Sequence, residues 1–294
     1  MRRTSGSGII LFILIGATSI LAQTDISVLA SSIRIGTSEQ KRDALFSIKN
    51  LHSEPASRAA IPALTDADDI VRATAASAII SLPGEEAVRV LTPLLSDKSV
   101  FVRREAALAL GSAGDWRATE TLERSALKDG DAEVRTAAVI GLGKLGDPNS
   151  MNTLIGILKR KPADSDEMLR RSAARAIGQA FHLITFGNTA VVTPQNFLPE
   201  KYKVLGDAAA LRGSNVKHDF GPAKAVLINV LNGKNEEDDT RREAAFALGE
   251  SRDPAVASVL RSYLRSSDPY LAEICKESLL KIETPPGPRS TIGN

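Results

Sequence analysis

VRREAALALG, from Val102 to Gly111, returns as TRREAAFALG, from Thr240 to Gly249, with eight of ten positions identical. Weaker copies are VRATAASAII from Val71, VRTAAVIGLG from Val134 and LRRSAARAIG from Leu169. The motif arginines are Arg72, Arg103, Arg135, Arg170 and Arg241, at spacings of 31, 32, 35 and 71. Lys41 precedes Arg72 by 31 and Ala272 follows Arg241 by 31, so the outermost copies keep the spacing without the arginine. A fixed period of this length is the mark of a repeat architecture.

Within each copy, alanines or aliphatics fall three, four and seven residues after the arginine, as in Ala106, Ala107 and Leu110. That spacing is one face of an α-helix, and its small side chains let neighbouring helices approach closely. The helix is expected to stop at the glycine of the motif, at Gly111, Gly143 or Gly249, in a left-handed cap. A second apolar stretch follows, as in Ala87–Leu95, Met151–Lys159 and Ala255–Leu264. Asp115, Asp147 and Asp253 stand where this second helix should begin, and Asp97, Asp131 and Asp268 precede the next first helix; all suit N-caps. Each unit is thus a helical hairpin of about 31 residues that cannot bury both its sides, and neighbours must stack into an α-solenoid. The fold class is all-α.

The pattern D…VRxxAAxALGxLGD resembles HEAT-like repeats of the phycobilisome-lyase type, over roughly Ser38 to Ile282 less one insertion. The resemblance implies a solenoid scaffold, and such scaffolds host many tasks. The family name points to bilin chemistry, but no bilin pocket is indicated. Deoxyhypusine hydroxylase is similar in architecture and holds iron with His-Glu pairs; this chain has no His-Glu dipeptide.

The organisation read from the sequence is a leader at 1–22, a lead-in at 23–37, the repeat solenoid at 38–282 and a Pro- and Gly-rich frayed tail at 283–294. The leader carries Arg2 and Arg3, then an apolar run from Ile9 to Ala22, the plan of a secretory signal peptide. At 14 residues the run is short of a membrane-spanning helix. An uncleaved anchor is the alternative. The protein is therefore expected to be exported, periplasmic or secreted, with no stable membrane insertion once the leader is removed. Lysine and arginine number 37 against 35 acidic residues; loss of Arg2 and Arg3 leaves 35 against 35. A nucleic-acid binder usually shows a basic excess, so no nucleic-acid partner is expected.

The interval of 71 holds one repeat plus about 40 extra residues. LRRSAARAIGQAFHLI, from Leu169 to about Ile184, is a first helix, and Pro222 to Leu231 is its partner. The insertion between them, about 185–219, is too long for an ordinary connection. Phe181, Phe186, Phe197, Tyr202 and Phe220 put five of the chain's twelve aromatics in this region of 40 residues. Disordered linkers are poor in aromatics. The insertion is either a small packed excrescence or a binding loop with Phe186, Phe197 and Tyr202 as partner anchors.

Chemistry-bearing motifs are few. GLGKLG at Gly141–Gly146 matches the dinucleotide fingerprint but ends a helix, where the fingerprint must follow a strand. His52, His182 and His218 are scattered, although His182 and His218 bracket the insertion. Cys275 stands where other copies have alanine and reads as a small buried apolar residue. No catalytic, cofactor or metal motif emerges. The arginine column could line a groove for acidic ligands, but repeat periodicity favours a structural ladder, each guanidinium reaching a loop carboxylate such as Asp97 or Asp131. The expected work is non-catalytic protein binding or assembly through the solenoid surface, above all the second helices, and the insertion. The alternative is an enzyme or ligand-binding accessory with its site at the insertion.

Overall fold

A computed structural model describes residues 26–186 and 220–284 of the chain. The leader (1–22), most of the insertion, with Phe197, Tyr202 and His218, and the tail from 285 lie outside the described residues. All regular structure among the described residues is helical. It divides into two compact units, on either side of Ala113 and Gly114.

The first unit holds α1 (26–35), α2 (Ser38–Leu51), α3 (Glu54–Ala60), α4 (Asp69–Ala78), α5 (Gly84–Leu91) and α6 (Val100–Ala113). The first helices of the hairpins, α2, α4 and α6, pack side by side in that order. Pro62 and Pro93 lack an amide donor, and α3 and α5 each tighten into a 3-10 turn there, Ile61–Thr65 and Thr92–Ser96. Thr37 closes the start of α2 in a capping box with Gln40, and Asp68 caps α4 through the amides of Ile70 and Val71.

The second unit holds α7 (Thr119–Lys128), α8 (Ala132–Leu145), α9 (Met151–Leu158), α10 (Glu167–Phe186), α11 (Gly221–Asn232), α12 (Asp238–Glu250), α13 (Ala257–Ser262) and α14 (Pro269–Glu283). Here α8, α10, α12 and α14 form the row of first helices. Asp131 and Asp268 cap α8 and α14. Asp115, Asp147 and Asp253 each cap a 3-10 turn that runs into a second helix. Asp97 is no cap of α6; it receives Arg72.

The motif glycines do not stop their helices. Gly111, Gly143 and Gly249 lie inside α6, α8 and α12. Their role in the second unit is contact. A Cβ on Gly143 would sit 2.8 Å from Ala176, on Gly178 2.9 Å from Ala247, and on Gly249 2.5 Å from Ser278. Glycine at this position against a small residue on the next first helix sets how closely the row packs. The left-handed stops come three residues later, at Gly114 (φ 70) and Gly146 (φ 59). In α10 the corresponding residue is Phe181 and the next is His182, where other copies have aspartate. Without the turn glycine and the capping aspartate, α10 continues to Phe186. Phe181 is fully buried and its ring lies 4.7 Å from that of Phe220, which leads into α11.

Candidate functional site

Three of the repeat arginines share one job. Arg72 Nη1 donates to the carbonyls of Asp66 and Ala67 (2.8 and 3.1 Å), Arg103 to Asp97 and Lys98, and Arg135 to Asp129 and Gly130. Each guanidinium thus satisfies the loop carbonyls five and six residues before it, groups that the preceding helix end leaves open. Arg72 also forms a fork with Asp97, Nε to Oδ2 at 2.8 Å and Nη2 to Oδ1 at 2.9 Å. The hydrogen bonds from Arg72 hold the Asp97 carboxyl below the usual carboxylate range, against the opposing effect of burial. Arg170 is buried, binds the carbonyls of Ile157, Leu158 and Arg160, and forks onto Glu236, whose side chain is buried with it.

Arg241 departs from this scheme. It bonds the Leu231 carbonyl and Asp238, with its guanidinium over the Tyr263 ring. The link to the next loop is made by its neighbour: Arg242 Nε reaches Asp268 at 2.9 Å. At the other end Lys41 takes the arginine's place, with Nζ 2.6 Å from Asp66. The 31-residue spacing pointed to Lys41 as a repeat position; nothing in the sequence marked Arg242 above Arg241. The pair Arg170–Glu236 borders a crevice of about 50 Å³ between the 159–166 and 233–237 loops. It has room for water, whereas substrate pockets run from about 300 Å³.

A second charged set lies on the outward faces of α10, α12 and α14. Arg175 forks onto Glu243 (Nε 3.1 Å, Nη2 2.8 Å), and Arg171 meets Asp239 at 2.7 Å. His182 Nδ1 donates to Glu250 Oε2 at 3.0 Å, and Lys281 Nζ to Oε1 at 2.7 Å. Burial pulls the Glu250 carboxyl upward, but the hydrogen bonds and charges of His182 and Lys281 outweigh it and leave the group below its ordinary value. Lys281 also lies 4.1 Å from the centre of the Phe246 ring. Cys275 is buried, and desolvation pushes its thiol up to about 12. A thiolate nucleophile needs the opposite shift. Among the described residues no group of three or more His, Cys, Asp or Glu is placed to hold a metal. None of their helices is long and apolar enough to cross a membrane.

Large apolar side chains left at the surface fall mainly on first helices. Phe46 is 63% exposed, Ile70 43% and Phe101 36% in the first unit, and Met168 57% and Tyr270 56% in the second. Ile70, Phe101, Met168 and Tyr270 share one register position, two residues before the motif arginine or its equivalent. Arg104 stacks over Phe101 at 4.8 Å and Arg242 over Tyr270 at 5.2 Å. The second helices instead show charged residues paired among themselves, as in Arg58 with Glu54 and Glu86, and Arg124 with Glu120. Exposed apolar side chains of the second-helix segments are Trp116 (55%), Leu127 (41%) and Leu264 (42%). Phe186 closes α10 at the edge of the insertion.

Sequence models for HEAT repeats match residues 57–138, 102–178 and 124–192, and one for the PBS lyase HEAT-like repeat matches 240–266. Together they take in more than half of the chain. The chain is a HEAT-repeat protein. No curated protein matches this HEAT-repeat chain by sequence. Among solved structures it is similar to the complex of CpcE and CpcF of phycocyanin lyase from Nostoc sp. PCC7120. That match has 20% identity and a TM-score of 0.49, covering 88% of each chain. It is also similar to human deoxyhypusine hydroxylase, with 16% identity and a TM-score of 0.37, covering 90% of this chain and 98% of that one. Nothing about function follows from either.

Proposed function

We propose that this HEAT-repeat protein works outside the cytoplasm as a non-catalytic binding or assembly scaffold for another protein. The observation that carries the reading is the set of large apolar side chains, Phe46, Ile70, Phe101, Met168 and Tyr270, held at the surface on first helices. Exposed aromatic and apolar side chains beside arginine are the composition of binding hot spots. The cluster of His182, Glu250 and Lys281 is read as a tie between three helices, because both Glu250 oxygens are engaged by its neighbours. The insertion, with Phe186, Phe197 and Tyr202, belongs to the same reading as a second contact region.

Cross-linking in the native envelope fraction, followed by mapping of the linked residues, tests it. Partner peptides joined to first-helix residues or to the insertion are expected. A chain that links to no other protein while turning over a small molecule would overturn the reading. Export is checked separately: amino-terminal sequencing should find the mature chain starting near Gln23, and intact Met1 in a membrane pellet would show a retained anchor.

A further inference from the structure

The loop that joins α9 to α10 departs from the rest of the series. Arg135 follows the end of α7 by seven residues, whereas Arg170 follows the end of α9 by twelve. The extra residues explain the interval of 35 between these two arginines, where the two intervals before it are 31 and 32. Arg72, Arg103 and Arg135 clamp the carbonyls five and six residues before them. Arg170 instead reaches back to the carbonyls of Ile157, Leu158 and Arg160, so the residues after Arg160 pass outside the clamp. Lys159 to Ser165 are exposed without a break, the longest such run among the described residues, and Lys159 to Ala163 belong to no helix. The run begins Lys159-Arg160-Lys161. The other adjacent cations among the described residues, such as Arg103–Arg104 and Arg241–Arg242, lie inside helices. An endoprotease needs an extended stretch of chain in its cleft, which an exposed loop supplies and a helix does not.

Within the run one bond is singled out. The amides of Lys159 and Arg160 still close the end of α9, on the carbonyls of Ile155 and Ile157. Pro162 has no amide hydrogen and its ring crowds the residue before it, which spares the Lys161–Pro162 bond. Arg160–Lys161 is the first peptide bond past the helix. Its carbonyl accepts from Arg170 Nη1 at 2.6 Å. When that bond is released, Arg170 keeps Glu236 and the carbonyls of Ile157 and Leu158.

We infer that Arg160–Lys161 is a processing site for a serine endoprotease of trypsin-like specificity, and that the cut chain stays assembled; this is independent of the protein-binding reading above. The exposed Arg160 side chain enters a pocket with a carboxylate at its base, a partner that suits a guanidinium. The protease's serine oxygen attacks the Arg160 carbonyl carbon, and the carbonyl oxygen moves from Arg170 into the oxyanion hole. The C–N bond breaks as the catalytic histidine passes a proton to the Lys161 nitrogen, and water then releases Arg160 as a carboxylate. Arg170 takes that carboxylate back in place of the carbonyl, now as a charge-assisted pair. The two sides of the cut remain packed together. Helix α8 before it meets α10 after it so closely that a Cβ on Gly143 would sit 2.8 Å from Ala176.

The test exposes the full-length protein to trace trypsin and labels new amino termini as they form. Within residues 26–186 and 220–284 the first to appear should be Lys161, and the chain isolated from its own cells should carry the same terminus. The triple change K159Q/R160Q/K161Q, at exposed positions, should slow cutting in this loop by about a hundredfold or more and leave the melting curve unchanged. Nicked protein should keep its helical circular dichroism and elute from gel filtration as one species. An earlier cut elsewhere in those residues, such as after Lys98 or Lys234, overturns the inference. So does absence of the Lys161 terminus from the cellular protein, or undiminished cutting of the loop in the triple variant. Separation of the two pieces on gel filtration overturns the assembled product.

Discussion

The outward faces of the first-unit first helices and of α12 in the second unit are built on one register, a stripe two before, two after and five after the motif arginine or its equivalent, and used in opposite ways. In the first unit the stripe stays at the surface, with Phe46, Ile70 and Phe101 exposed. In the second unit the same stripe on α12 reads Asp239, Glu243 and Phe246, followed at the next turn by Glu250; all but Asp239 are buried. They are covered by Arg171, Arg175 and His182 from α10 and by Lys281 from α14. Long cations reach across to acidic residues on the adjacent helix and seal the row. The repeat period decides where a side chain points. Which residue stands there, and on the neighbouring helix, decides whether the position becomes a tie or a contact surface.

The comparison breaks most easily at the buried ties of the second unit. Arg170→Ala strands buried Glu236 and several loop carbonyls, and should lower stability by about 3–5 kcal/mol in urea or thermal melts. An unchanged melt would mean that the pair is dispensable and the arginine column is free for ligands.

Glu250→Gln should cost about 2 kcal/mol at neutral pH, since it weakens two charge-assisted bonds. The Glu250 carboxyl titrates below its ordinary value when folded. Its contribution is therefore present in full above about pH 4.3 and lost as pH falls through the depressed folded value. The gap between wild type and variant should close over that acid range. A gap that stays constant in stability-against-pH curves would reject the tie.

Gly178→Ala places a methyl 2.9 Å from the Ala247 backbone and should cost about 1–3 kcal/mol. Gly156→Ala, in α9 with nothing within 4 Å, should gain about 0.5–1 kcal/mol by helix propensity. The same substitution with opposite signs distinguishes packing glycines from tolerated ones. Thr240 holds the position that is Val71, Val102 and Val134 elsewhere, and its buried hydroxyl has no hydrogen-bond partner. Thr240→Val should raise stability by about 1 kcal/mol in the same melts. Phe46→Ser should move them least, within about 0.5 kcal/mol, because an exposed side chain has little native contact to lose. A large loss there would show that the open face is part of the core.

Much of this was legible in the chain. The 31-residue period, the alanine stripes and the capping aspartates define helical hairpins that must stack, because each step follows from local spacing and from the need to bury an apolar face. The replacement of turn glycine and capping aspartate by Phe181 and His182 foreshadows the longer α10 for the same local reason. The motif glycines were harder to read. A glycine near a helix end is as consistent with a left-handed stop as with a close helix contact, and only the approach of Ala176, Ala247 and Ser278 distinguishes them. The ladder was equally a matter of tertiary structure. Arg170 finds Glu236 across the insertion, and Arg242 in place of Arg241 reaches Asp268. Such pairs join residues 26 to 66 positions apart. The period of the sequence determined the helices and the faces they present, because those depend on near neighbours. Which carboxylate met which guanidinium, and which apolar side chains stayed in water, depended on the packing of separate helices and was decided only by the fold.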